Sequence, residues 1–224
     1  MRGHSAKVGQ ASACQQLKQA SARQRRGSTM IEFCLSAVLW TAVLVGLSTV
    51  GLNLIRAIQV EQICRDAGHM YSQALDFTQA GNQNLLILLA TGLNVTTTGG
   101  NGVFIFSTVE YIDTPQCTAG GLAGNTSSCP NLDQYVFIQR VVVGNATLFS
   151  SNFGTPGASI IGTYGDIASS AYLTNTADRA TGFSSVLTLT GGQVAYLTET
   201  YFSSPDFAWG TYMSGAGVYD RKIF

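Results

Sequence analysis

Hydrophobic and polar positions change their rhythm twice along this chain. Residues 33–55 hold no Asp, Glu, Lys, Arg or His across 23 positions. A helix rising about 1.5 Å per residue makes that run about 35 Å long, enough to cross a hydrocarbon core of about 30 Å. A secretory signal core has about 7–15 apolar residues with a small-residue cleavage site behind it. This run is longer, and no A-x-A site follows it. Beyond it Ile55, Ile58, Gln59, Gln62, Ile63 and Ala67 recur at helical spacing, with Arg56, Glu61, Arg65 and Asp66 on the remaining surface. The helix is therefore expected to continue past the membrane, with Glu61 and Arg65 at the favourable i,i+4 spacing. Gly68 weakens that continuation, and Gly81 is the expected stop.

The rhythm then shifts to strands. Residues 85–89 fit either one more helix or an inner strand, and 94–101 read as loop. Runs rich in Val, Ile, Thr, Tyr and Phe predict strands at 103–112, 135–143, 186–190 and 194–202. Gly191-Gly192 fits a two-residue hairpin turn between the last two. Residues 150–182 are rich in Gly, Ser, Thr and Ala and are expected to pack as loops over the sheet or to form an assembly surface. The fold class is thus α+β: a long N-terminal helix, transmembrane then amphipathic, followed by a mainly antiparallel sheet domain. The expected divisions are a leader at 1–27, the helix at 28–78 and a β-rich domain at 79–224.

Charge sharpens this division. The formal net charge is zero, yet residues 1–27 carry Arg2, Lys7, Lys18, Arg23, Arg25 and Arg26 and no acid. All 12 Asp and Glu lie beyond residue 27 with six Lys and Arg, a balance of −6. The positive-inside tendency places the leader in the cytoplasm and the body across the membrane.

One carboxylate, Glu32, stands at the mouth of the apolar run, where a charge is costly and marks a function by default. It belongs to Gly27-Ser28-Thr29-Met30-Ile31-Glu32-Phe33, which follows Arg23, Arg25 and Arg26. Glycine, four residues, then Glu-Phe ahead of a hydrophobic helix resembles the processing site of TadE-like pseudopilins of the tight-adherence (Flp/Tad) pilus system. Two C-terminal stretches are similar to that family as well. Residues 194–202, with Glu199, resemble its late Glu-containing strand, and residues 219–224 its basic-aromatic ending. The resemblance implies cleavage after Gly27 by a membrane prepilin peptidase and a structural role in building an adhesive pilus. It implies residence in the bacterial inner membrane, N-terminus cytoplasmic and C-terminal domain periplasmic, with incorporation in a pilus. Its implied partners are other pilins and pseudopilins and the Tad assembly platform. Cleavage would leave Ser28 with a free amine one helical turn from Glu32, and that carboxylate can meet the amine of a neighbouring subunit and set register. The competing expectation is a signal-anchored periplasmic binding module that keeps its leader.

Five cysteines are present. Cys117 and Cys129 bracket a Gly-rich loop between two expected strands and are the disulfide candidates of an exported domain. Two free thiols are the alternative. No H-E-x-x-H, G-x-S-x-G, Walker A or S-x-x-K pattern occurs. The expectation is therefore no enzymatic activity, no cofactor, no metal and no nucleic-acid partner. Aromatic residues gather late, at Tyr196, Tyr201, Phe202, Phe207, Trp209, Tyr212, Tyr219 and Phe224.

Overall fold

The computed structural model describes residues 5–203 and 217–224, with side chains from residue 29 onward. Phe207, Trp209 and Tyr212 lie outside the described residues. The described chain is α+β. The first helix, α1, spans Ser5–Ser72 and contains one segment long and apolar enough to cross a membrane, as single-pass anchoring requires. It ends six residues before the expected boundary at 78. The chain divides into two compact units after Leu54.

In the first unit, apolar side chains along α1 face outward, among them Phe33, Leu39, Trp40, Leu44 and Leu47. A row of such residues is tolerated only against lipid or another apolar surface. The hydroxyls in this row bond back to the helix itself. Ser36 Oγ donates to Phe33 O at 3.0 Å, Thr41 Oγ1 to Val38 O at 2.9 Å and Ser48 Oγ to Leu44 O at 2.8 Å. Satisfying polar groups within the helix is what hydrocarbon demands.

The second unit, Ile55–Phe224, is built on a four-stranded antiparallel sheet. In chain order it holds α2 (Ala80–Leu89), a ribbon of β1 (Val95–Thr96) and β2 (Gly99–Gly100), then β3 (Gly102–Tyr111), α3 (Thr114–Ala119), β4 (Tyr135–Gly144), α4 (Ser169–Tyr172), β5 (Val194–Phe202) and β6 (Val218–Ile223). The sheet order is β4-β3-β5-β6. β3 lies at its centre and is buried over most of its length, hence its near-continuous apolar run.

One sheet face packs against α1. Val60, Ile63, Ala67 and Tyr71 join Phe77 and Leu86 over Phe104, Phe106, Val141, Val143 and Phe202. Phe77 and Phe106 stack with centroids 4.3 Å apart. The buried stripe of α1 is thus Val60, Ile63, Cys64, Ala67, Gly68 and Tyr71, which keeps Ile63 and Ala67 of the sequence reading and corrects the rest. Ile55 and Ile58 point to solvent. Glu61 does not bridge to Arg65 but reaches Lys222 Nζ at 3.3 Å, while Arg65 turns to Asp66. The other sheet face is covered by irregular chain from the 145–190 region, which brings Phe153, Ile167, Phe183 and Leu189 over Val109, Phe137, Ala195 and Leu197.

Three further expectations are corrected. Gly81 does not stop α1; it sits in the first turn of α2, so residues 85–89 are helical. Residues 186–190 form no strand, because β5 already has β3 on one side and β6 on the other. Leu189 instead enters the second core, and its N–H donates to Tyr135 Oη at 3.3 Å. Gly191-Gly192 accordingly makes no hairpin; Gly192, at φ 72°, donates to Tyr111 O and leads the chain into β5. β6, too charged to read as a strand, is the fourth member of the sheet.

Gly68 is required by close approach. A Cβ there would lie 2.3 Å from Phe224 Cε2 and 3.2 Å from Thr198 Oγ1. The backbone of Phe224 is held by two hydrogen bonds to Tyr196, each 2.9 Å, so only its ring can yield. Alanine regains about 1 kcal/mol of helix propensity against this clash. A leucine cannot be accommodated so cheaply. Gly68→Leu is expected to lower stability by about 1–3 kcal/mol in urea denaturation of the detergent-solubilised chain. An unchanged midpoint would show that the helix and the sheet edge are less tightly apposed than described.

Candidate functional site

The processing segment lies on α1. Gly27 and Ser28 continue the helical backbone, and the side chains of Ser28, Arg23, Arg25 and Arg26 lie outside those described. Four helical residues put Glu32 one turn beyond Ser28. Glu32 and Phe33 are both exposed, Phe33 at 71%. The local geometry therefore offers a carboxylate and an aromatic ring outward, directly ahead of the charge-free run.

The β domain contains a second constellation that sequence spacing did not reveal. Ala195, Leu197, Glu199 and Tyr201 alternate onto one side of β5, and Glu199 is completely buried there. Its Oε2 accepts a short hydrogen bond from Ser151 Oγ. Its Oε1 accepts from Asn152 N at 3.2 Å and from Tyr219 Oη at 2.9 Å. Burial raises the Tyr219 phenol, and the adjacent Glu199 charge raises it further, so the hydroxyl stays a donor. Arg140 on β4, 4% exposed, donates from Nη2 to Gly154 O at 2.7 Å and lies over the Phe137 ring. Burial draws its guanidinium down to about 10, a shift that the Glu199 charge opposes, so it is cationic at neutral pH. Asp178 is fully buried, and among the described residues neither carboxylate oxygen has a hydrogen-bond partner. Burial pushes it up to about 7, with Arg140 limiting the rise.

These contacts fasten irregular chain to the sheet. Ser151, Asn152 and Gly154 form one short turn gripped by a buried acid from β5 and a buried base from β4. The arrangement is a structural latch: Glu199, Arg140 and Ser151 are closed off from solvent, while Asn152 is exposed and Tyr219 half-buried. Among the described residues no three His, Cys, Asp or Glu gather as a metal site.

Cys117, in α3, and Cys129 are joined by a disulfide with Cα atoms 6.0 Å apart. α3 starts with a capping box in which Asp113 Oδ1 accepts from Gln116 N and Gln116 Oε1 accepts from Asp113 N. The disulfide packs with Ile112, Val136 and Leu173 in a small separate core. Asn131 ties this loop to the 170s region through Tyr172 O and Asn175 O, and Arg179 Nε donates to Asn131 Oδ1 at 2.8 Å. Cys64, outside the 33–55 run, is buried with its thiol pushed up to about 12 by desolvation, which leaves it unreactive. In comparisons with known proteins, no family model, no curated protein and no solved structure matches this chain.

Proposed function

We propose that this protein is a TadE-like minor pseudopilin, a structural component that helps assemble an adhesive Tad-type pilus after a prepilin peptidase removes residues 1–27. The observation that carries this reading is the motif from Gly27 to Phe33, set between a purely basic leader and a charge-free apolar helix. After the cut, the amine of Ser28 and the carboxylate of Glu32 stand one turn apart at the head of that helix. In the membrane Glu32 is matched by the amine of a neighbouring subunit, and the apolar residues behind it slide from lipid into a helix bundle. The pair sets register more than it adds stability. The β domain then serves as a rigid subunit body, closed by the Cys117–Cys129 disulfide and the Glu199 latch.

Intact mass of the protein purified from its native host tests this directly. The expected mature chain begins at Ser28, and Gly27→Arg is expected to retain all 27 leader residues. A full-length wild-type chain in cells with an active prepilin peptidase would instead support the uncleaved, signal-anchored binding module.

A further inference from the structure

α2 presents an apolar stripe for which the β domain has no use. Leu86 is turned fully inward, while Leu85, Leu88 and Leu89 are 50%, 68% and 43% exposed. Their i, i+3, i+4 spacing puts them on one face. A water-facing helix in a globular domain carries charge on its outer side. Here none is available, because no Asp, Glu, Lys, Arg or His occurs between Asp76 and Glu110.

We propose that this stripe docks on the surface of the lipid bilayer in which the same chain is anchored. The tether is short. Val60 and Leu86 belong to one hydrophobic core, and Val60 lies only five residues beyond the apolar run. Even a fully extended five-residue segment bridges at most about 18 Å, so the core that carries α2 stays close to the membrane at any angle between the two units. A tether of that length holds the stripe at high effective concentration near lipid, so weak apolar affinity suffices. Protein-binding patches are enriched in Tyr, Trp, Phe and Arg. α2 has none of these, and its outward residues are leucines flanked by Asn, Gln, Gly and Thr. The absence of Lys and Arg also makes docking independent of anionic lipid, unlike that of basic amphipathic helices.

The test uses the full chain with Cys14→Ser and Cys34→Ser and a single nitroxide at Leu88→Cys, reconstituted in phosphatidylcholine vesicles. Collision of the label with oxygen and with a water-soluble nickel chelate is measured by electron paramagnetic resonance. Control labels replace Leu47 in the apolar run and Tyr164, 62% exposed on the β domain. The expected result is a shift at Leu88 toward the Leu47 pattern, with oxygen accessibility high and nickel accessibility low, unchanged when phosphatidylglycerol is added. Leu85→Cys should behave alike. Nickel accessibility equal to that at Tyr164 would overturn the proposal, as would low accessibility to both reagents that rises on diluting protein in lipid, the mark of a second copy. The proposal rests on residues 33–55 being the anchor, independently of leader cleavage. A water-exposed label at Leu47 would remove that anchor and the proposal together, whereas lipid at Leu47 with water at Leu88 removes only the proposal.

Discussion

Glu199→Ala is expected to destabilise the β domain by about 3–5 kcal/mol, the range seen when one partner of a buried charged network is removed. The size follows from what the truncation strands. Ser151 Oγ, Asn152 N and Tyr219 Oη all lose the acceptor they point at. Ser151 is the buried one of the three, and a buried donor left without a partner costs about 1–3 kcal/mol. Arg140 also loses the negative charge that favours its cationic form, in a site where it is 4% exposed. Side-chain loss leaves a cavity on the sheet face as well. Glu199→Gln keeps the shape and one acceptor oxygen, and its amide can donate to Ser151 Oγ, so it should lose less than the alanine variant. The measurement is urea unfolding of both variants beside the wild type, with limited proteolysis of the 149–154 turn as a local readout. An alanine variant with the wild-type midpoint and protease resistance would show that the turn is held by apolar packing alone.

Much of this fold was legible because its strongest signals are local. Charge-free length announced the apolar part of α1, and runs of β-branched and aromatic residues announced β3, β4 and β5 almost to the residue. The failures have a common cause in tertiary context. Residues 186–190 have strand composition, but a strand needs a free neighbour, and β3 and β6 occupy both sides of β5. β6 carries Asp220, Arg221 and Lys222, which mask a strand that pairing with β5 creates. The amphipathic stripe of α1 is legible in part: Ile63 and Ala67 are buried, but Ile55 and Ile58 are exposed, and Val60, Cys64, Gly68 and Tyr71 complete the buried face. Gly68 looked like a helix breaker and is instead the point where Phe224 approaches.

The two candidate sites differ in the same way. The processing motif is written in consecutive residues and needs no folding to be seen. The latch joins Arg140, Ser151, Asn152, Glu199 and Tyr219, which are brought together only by sheet register and by the route of the irregular segment. One signal for it was present. Glu199 shares a strand face with Ala195 and Leu197, and an acid at a core position of a strand must have partners. Their identity could not be read, because Ser151 and Asn152 sit in a Ser/Asn/Gly-rich stretch without periodicity.

Asp178 should make the β domain lose stability as pH rises from about 4 to about 7. Its folded-state pKa is raised from 3.8 to about 7, chiefly by burial, so the native chain holds its proton more tightly than the unfolded chain. Between those two values the native state binds more protons, and stability therefore falls with increasing pH. Below about pH 4 both states are protonated and no penalty exists; above about pH 7 both are ionised and the penalty is complete. Inside the window the slope approaches about 1.4 kcal/mol per pH unit. The structural reason is that neither carboxylate oxygen receives a hydrogen bond from the described residues, so ionisation is borne by Arg140 at a distance. Glu110, half-buried and also raised, adds a change of the same sign, so the difference between two proteins is the clean quantity. Asp178→Asn mimics the protonated acid. It should match the wild type near pH 4, exceed it increasingly up to about pH 7 and then keep a constant margin, in urea unfolding at each pH in one detergent. Parallel stability curves for the two proteins across that range would mean that Asp178 titrates normally and that its burial is relieved in solution.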